Sequence, residues 1–492
     1  MSKKLIYVVK MNNVKGRVVC EYAEIMESLF RHFTIYAHNY WFHPKVKKGI
    51  WDGKLHFVER NGTFKLGILD KVIEYLKCQS EFTLEVDPKL EKPSKEMFAK
   101  LKDKFLEVVI EMKCPYAPYA HQMKGALKAI FHKRAIIEHC TSSGKSLTQA
   151  LVVNFILNSK TEHKILILVP RVDLVNQLAE DFKEYGIDES KIGKYYAKEK
   201  EPEKQIVIST WQSIYRKKKI LKNFTALLAD ECHGLRAGEV RSVAEASTKA
   251  NIRLGFTGTL PDPQSEKMLI ESVLGPVVDE VKAEQLQKLK LISDIKIDIP
   301  FLVYKDEDIQ NVKKACKGLD GRSAYEYEKN FVIEHPRRNK LVAKISEKFV
   351  KKGENCLILV NRHAHVDNVK QALEDVGIYP LIVTGKTDPK IRNEYKKRME
   401  KEGGMVLLAT SGVYSTGISI KRLHAVIFAN AGKSKIETLQ SVGRGLRLHH
   451  SKNKLHLYDL ADNLKYSEDH LQDRMEYYAR NNFEVEIKEV HI

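Results

Sequence analysis

Three short clusters of residues could carry chemistry. The first is Thr141-Ser142-Ser143-Gly144-Lys145-Ser146. An apolar run at 135–137 leads into it and a helix-compatible run at 147–157 leaves it. A strand, a loop of small residues and a helix start form a cradle for phosphate. Backbone N–H groups and the positive end of the helix converge on the anion, Lys145 adds a point charge, and the Ser146 hydroxyl can hold Mg²⁺. The full phosphate-binding pattern begins with glycine, and this chain has His139 in that place. The second cluster is Asp230-Glu231-Cys232-His233, directly after the apolar run 226–229. Carboxylates at the C-terminal end of a parallel strand face the crevice where open α/β sheets bind ligands. Asp230 can hold Mg²⁺ there, and Glu231 can polarise the water that attacks a γ-phosphate. An acidic turn before a helix is the plainer reading, and the cradle upstream argues against it. The third cluster runs from Gln440 to Arg447. In helical phase Gln440, Arg444 and Arg447 share one face, and the two guanidinium groups could stabilise charge on a transferring phosphoryl group. Gly443 and Gly445 each weaken a helix by about 1 kcal/mol, which suits close approach to a partner surface better than a merely solvated basic face. A fourth, weaker signal is Thr257-Gly258-Thr259, whose hydroxyls could bond the acidic cluster.

The rest of the chain must position these clusters. Residues 1–95 read as a small α+β unit: a strand at 4–10, helices at 21–33 and 69–78, and a hairpin of 54–59 with 63–67 about Asn61-Gly62. A polar, Pro-punctuated stretch at 87–94 marks a boundary. Beyond it apolar strands alternate with amphipathic helices. Strands are expected at 164–169, 205–209, 226–229 and 252–256, with a helix at 174–185. After a weaker stretch at 277–300 the pattern resumes, with strands at 356–360, 381–384, 405–409, 425–429 and 455–460 and helices at 366–376, 389–401 and 436–446. This alternation is the signature of βαβ units and parallel sheets. The expected fold class is α/β, with two tandem parallel-sheet lobes at 96–290 and 291–465 after the N-terminal domain, and a polar tail at 466–492.

The 492 residues are 43% hydrophobic, enough for packed cores. The formal net charge of +19 points to a polyanionic partner, most simply nucleic acid. Seven scattered cysteines with no C-x-x-C pair imply reduced thiols and no zinc site. No apolar run is long enough to span a membrane, and the N-terminus is too short in apolar length for a signal peptide. A cytoplasmic setting follows as an expectation.

In order and spacing these motifs resemble the superfamily 2 DExH helicases, motors with two RecA-like lobes. The resemblance implies a set of roles, residue by residue. Gln122 matches the adenine-reading glutamine. Thr141, Ser142, Ser143, Gly144, Lys145 and Ser146 match the ATP cradle. Pro170-Arg171 and Thr210-Trp211-Gln212 match turns that touch the nucleic-acid backbone. Asp230 and Glu231 match the metal and water carboxylates, and Thr257 to Thr259 the motif after them. In the second lobe Asn361-Arg362, Thr384-Gly385 and Thr410 match further nucleic-acid contacts. Gly417 falls in the fifth motif, where Gly417-Ile418-Ser419 replaces the usual Gly-Ile-Asp, so Ser419 receives no catalytic role. Arg444 and Arg447 match the catalytic arginines. A narrower likeness lies in the segment from Asn39 to Lys54, in Ser415 to Ser419, and in Lys433 to Ile436. These are similar to the phage UvsW-type DNA repair and recombination helicases. The likeness implies ATP and Mg²⁺ as cofactors, branched or forked DNA and RNA–DNA hybrid as partners, and, for a phage protein, the cytoplasm of a bacterial host. ATP would lie between the lobes. Lys45, Lys47 and Lys48 would bind phosphates while Trp51 stacks on a base. An RNA helicase and a restriction-type translocase subunit share this core, and an ATP-binding nucleic-acid scaffold is the alternative of a different class.

Overall fold

A computed structural model of the chain describes residues 4–79, 82–91, 93–411, 420–429, 446 and 448–492. The chain divides into two compact units, Met1–Cys140 with Gly144–Val281, and Lys282–Ile492 with Thr141–Ser143.

The first unit holds a parallel sheet whose strands run, in spatial order, Val277–Val281, Arg134–His139, Ile252–Thr257, Ala226–Asp230, Ile165–Val169, Ile206–Thr210 and Ile192–Tyr195. These strands are short and rich in Ile, Leu and Val because both faces are covered. Along Ile165–Val169 the side chains alternate between two cores. Ile165, Ile167 and Val169 join the helices Lys95–Glu111, Ala120–His132, Lys145–Leu157 and Val172–Glu184. Leu166 and Leu168 join Ile214, Leu221, Val243 and Val273 on the other face.

The N-terminal residues form a four-stranded sheet, ordered Thr63–Lys65, Lys15–Val19, Lys4–Lys10 and Phe82–Val86, packed on helices Ala23–His32 and Leu69–Lys77. The expected hairpin is different in kind. The tight turn exists, with Gly62 at φ +81° and Glu59 N–H donating to the Thr63 carbonyl at 2.8 Å. Its two arms pair antiparallel next to the turn, Val58 with Phe64, and part beyond it. Lys54–His56 pairs with Thr34–Tyr36, while Thr63–Lys65 pairs with Lys15–Val19.

This N-terminal sheet is docked onto the parallel-sheet lobe through helix Gln264–Leu274. Met268 is buried in the N-terminal core beside Ile6, Leu66 and Val72. A Cβ on Gly67 would lie 2.0 Å from the Glu271 carbonyl oxygen, so glycine is required for the backbones to meet. Lys71 pairs with Glu271 at 2.5 Å and Lys65 with Glu245. Arg134 donates to the Asn13 carbonyl at 2.7 Å and the Val273 carbonyl at 2.9 Å.

The second unit is another parallel sheet. Its order is Leu381–Val383, Val406–Thr410, Cys356–Val360, Ala425–Phe428, Lys454–Asp459 and the ten-residue strand Asp294–Val303. The expected tail does more than trail. Its helix Lys465–Arg480 is pinned by Arg474 and Tyr478, which donate to Asp459 at 2.7 and 3.0 Å. Strand Glu484–His491 then pairs with Asp294–Val303 from Lys296 to Val303. Its alternation of charged and apolar residues suits an edge strand.

Candidate functional site

All seven strands of the first sheet run the same way, so their C-terminal ends share one edge. His139, Thr257, Asp230, Val169 and Thr210 end on it, which gathers the loop before Lys145, the acidic cluster, the Thr257 turn, Pro170-Arg171 and Thr210 to Gln212.

The loop closes on helix Lys145–Leu157, whose free N–H groups and positive end face the strand edge. Ser142 and Gly144 take left-handed backbone conformations, φ +69° and +80°. A Cβ at Gly144 would come within 2.1 Å of the Gln122 side-chain nitrogen. Gln122 is itself buried. Its Oε1 accepts from Tyr119 N–H at 2.8 Å and its Nε2 donates to the Gly144 carbonyl at 3.4 Å, so it ties the start of its own helix to the loop. The Lys145 ammonium donates to the His139 and Cys140 carbonyls at 3.2 and 3.5 Å. Ser146 Oγ lies 3.1 Å from the Tyr185 hydroxyl.

His139 stands where the pattern has glycine because it has a structural task. It is fully buried, and its Nε2 lies 3.0 Å from Asp279 on the neighbouring strand Val277–Val281. Lys128 and Lys124 reach the same carboxylate at 2.8 and 3.3 Å. Burial works to raise the Asp279 carboxyl, but the bonds from His139, Lys128 and Lys124 outweigh it and hold the group well below the usual range.

Asp230 accepts from Gln149 Nε2 at 2.8 Å. Burial first, and the adjacent Glu231 carboxylate second, push its carboxyl up to about 6, while Lys145 and the Gln149 bond pull the other way. Glu231 sits at φ +47°, a left-handed conformation that costs a non-glycine residue of order 1 kcal/mol or more. That turn brings three groups together. Glu231 Oε2 is 3.3 Å from His233 Nδ1 and 3.4 Å from Thr257 Oγ1, and His233 Nδ1 is 3.1 Å from Thr257 Oγ1. Thr257 also lies 2.8 Å from the Thr259 carbonyl oxygen. The Thr257 turn is fixed to the loop strand, since Leu260 N–H donates to Glu138 at 3.0 Å.

Along the same edge Arg171 is exposed at the start of helix Val172–Glu184, after Pro170. Thr210 caps the short helix Trp211–Ile214 through Ser213 N–H, and Gln212 is exposed. In the second unit Asn361 and Arg362 follow strand Cys356–Val360. Arg362 is engaged internally, by Asn330 at 2.7 Å and by Glu326. The Thr384-Gly385 turn is held by Arg392, which donates to both carbonyls at 3.2 Å. Thr410 ends strand Val406–Thr410. Gly417, Arg444 and Arg447 lie outside the described residues.

Comparison with known proteins now bears on this arrangement. Residues 9–87 match the N-terminal domain of the DNA helicase UvsW, 90–262 the type III restriction enzyme res subunit, and 338–449 the helicase conserved C-terminal domain. The chain is 29% identical to the ATP-dependent DNA helicase uvsW of Enterobacteria phage T4 over 97% of each chain. The crystal structure of T4 UvsW covers 99% of both chains at 27% identity and a TM-score of 0.50. Along nearly its whole length the chain is thus similar to a phage DNA helicase of the UvsW type. The fold extends further, to S. cerevisiae Dbp5 bound to RNA and ADP BeF3, at 15% identity, 80% of this chain, 95% of that one and a TM-score of 0.55.

In the region that matches the UvsW N-terminal domain, the loop rearranges the sequence expectation. Lys45, Lys47 and Lys48 are exposed. Trp51 is not presented for stacking. Its indole N–H donates to the Lys54 carbonyl at 2.9 Å and its ring meets His43 edge-on at 5.1 Å. Trp41 and Phe42 are the presented rings, 53% and 67% exposed. They end a run in which Tyr36 stacks on Tyr40 at 4.5 Å and Tyr40 meets Trp41 edge-on at 5.2 Å. Lys54 lies over Tyr36 and Lys47 over Phe42, at 5.4 and 5.8 Å. Sequence reasoning missed Phe42, Gln149 and Arg392. A run of four aromatics in seven residues was the available signal for the first; Gln149 acts through a residue 81 positions away, and Arg392 through the turn before its own helix.

Proposed function

We propose that this chain is an ATP-dependent DNA helicase or translocase that remodels branched and forked DNA. What carries the reading is the shared strand edge, where Gly144 and the start of its helix, Asp230, Glu231 and Thr257 meet, in one compact unit with a lysine- and aromatic-rich N-terminal loop. Thr141 to Gly144 bind phosphate oxygens through the backbone, Lys145 meets their charge, and Gln122 reads the base. Glu231 orients and polarises the attacking water, with His233 and Thr257 fixing its carboxylate. Ser146 and Asp230 offer a hydroxyl and a carboxylate, hard oxygen donors that fit Mg²⁺. When bound, Mg²⁺ would neutralise charge on the phosphates. Arg444 and Arg447 keep the catalytic role that their motif implies. Lys45, Lys47, Lys48, Trp41 and Phe42 engage DNA from the N-terminal domain, and Arg171 and Gln212 from the strand edge.

The test is ATP hydrolysis by the full chain with single-stranded, forked, four-way, RNA duplex and RNA–DNA hybrid substrates. Stimulation greatest with forked or four-way DNA, lost in Lys145→Ala and Glu231→Gln, supports the reading. Stimulation by RNA duplex alone would replace it with an RNA helicase, and hydrolysis that survives Glu231→Gln would remove the catalytic assignment.

A further inference from the structure

Residues 204–229 contain no Asp or Glu and six Lys or Arg. Five of the six, Arg216, Lys217, Lys218, Lys219 and Lys222, are exposed and fall between residues 216 and 222. The backbone beneath them is fixed. Ile214, Leu221 and Phe224 are fully buried in the lobe core with Val243 and Ala244. Lys217 N–H donates to the Ile214 carbonyl at 2.9 Å and Leu221 N–H to the Lys217 carbonyl at 3.1 Å. The cations therefore stand on an ordered platform.

Among the described residues no ion pair joins any of the five to a carboxylate. Elsewhere surface cations commonly find one a helical turn away, as in Arg31–Glu27, Lys288–Glu284, Lys351–Glu347 and Arg398–Glu402. Here Lys218 and Lys222 are like charges one turn apart, an arrangement that repels. A self-repelling cluster, rigidly held and without internal counter-charge, has a polyanion as its complement. Its location narrows the choice. Helix Gly238–Ala246 packs on the same core, and its Glu245 pairs with Lys65 of the N-terminal domain. The cluster thus lies on the sheet face that carries the N-terminal domain.

We propose that residues 216–222 form a further contact surface for the phosphodiester backbone of the DNA substrate, distinct from the turns at 170–171 and 210–212. Ammonium and guanidinium groups there neutralise phosphates without reading sequence. The proposal rests on DNA being the substrate. The test is equilibrium binding of forked DNA by the full chain across a series of NaCl concentrations. Three proteins are compared: wild type, R216Q/K217Q/K218Q/K219Q, and K217R/K218R/K219R. Each lost phosphate contact should remove about 0.9 from the slope of log K against log salt, so the glutamine variant should lose about 2 to 4 and bind at least about tenfold more weakly at low salt. The arginine variant should keep the wild-type slope. A glutamine variant with wild-type slope and affinity, or an arginine variant that loses as much as the glutamine one, overturns the proposal. Wild type that binds no DNA at any salt is a separate result and removes the DNA reading itself.

Discussion

Gly144 has two independent reasons to be glycine. Its φ of +80° costs an L-residue about 1–2 kcal/mol. An added Cβ would also meet the Gln122 amide at 2.1 Å and push it away from the loop. Gly144→Ala should therefore weaken ATP binding by at least about tenfold, the equivalent of ~1.4 kcal/mol, with little change in melting temperature; titration of a fluorescent ATP analogue measures it. His365 tests a different property of a single residue. It is buried in helix His363–Glu374, and neither ring nitrogen has a hydrogen-bond partner among the described residues. Burial, with Arg338 nearby, pushes its pKa down from 6.5 to about 3. The unfolded chain takes up a proton on this ring near pH 6.5, whereas the native chain stays neutral until near 3. The stability tied to the neutral ring is complete above the unfolded value and is lost as pH falls. The loss amounts to about 3 kcal/mol between pH 7 and pH 4. His365→Leu should flatten that part of the pH dependence in denaturant melts of the second unit, and an unchanged slope would show that other groups carry it.

At the scale of elements, helix Gln264–Leu274 connects the two ends of the first unit. One side holds Met268 and Glu271 against the N-terminal sheet. The other end pairs Glu266 with Arg236, in the turn that follows Glu231, at 3.1 Å. One helix therefore touches both the N-terminal domain and the turn after the acidic cluster. Lys71→Glu leaves the Glu271 carboxylate, 7% exposed, without its partner and beside a like charge. A buried charge left unpaired costs about 3 kcal/mol or more. The variant should melt earlier and lose DNA stimulation of hydrolysis, and Lys71→Glu with Glu271→Lys should restore much of both. Failure of the double swap to recover stimulation would disconnect this helix from signalling. The elements themselves were legible to very different degrees. Fully buried parallel strands announce themselves as apolar runs, and the strand expected at 356–360 is Cys356–Val360. Val277–Val281 did not, because Asp279 interrupts it, and the cations that neutralise Asp279 lie on another helix. Ile192–Tyr195 was hidden by Gly193 and Lys194. The arms of the expected hairpin pair only at Val58 and Phe64 beside the turn and then take separate partners, because pairing further along is settled by tertiary contact, which local turn chemistry does not contain.

For the whole molecule the same contrast holds between motif and surface. The nucleotide cradle and acidic cluster could be read from spacing, since their chemistry demands those residue types in that order. The candidate nucleic-acid surface could not, because exposure decides which ring is available, and the bond from the Trp51 indole to the Lys54 carbonyl three residues on is not written in the residue types. A net charge of +19 favours salt-sensitive association with any nucleic acid, so affinity alone does not say which contacts matter. The salt slope can. Replacing Lys45, Lys47 and Lys48 with Gln should lower the slope for forked DNA by about 2 to 3, since each phosphate contact contributes about 0.9. Replacing Trp41 and Phe42 with Ala removes stacking, worth about 1–3 kcal/mol per base, and should weaken binding while leaving the slope unchanged. Trp51→Ala should instead lower the melting temperature, because it removes a packed ring and a satisfied indole N–H. If Trp51→Ala weakens DNA binding more than the Trp41 and Phe42 pair while the fold stays intact, the stacking role returns to Trp51 and the exposed aromatic run needs another explanation.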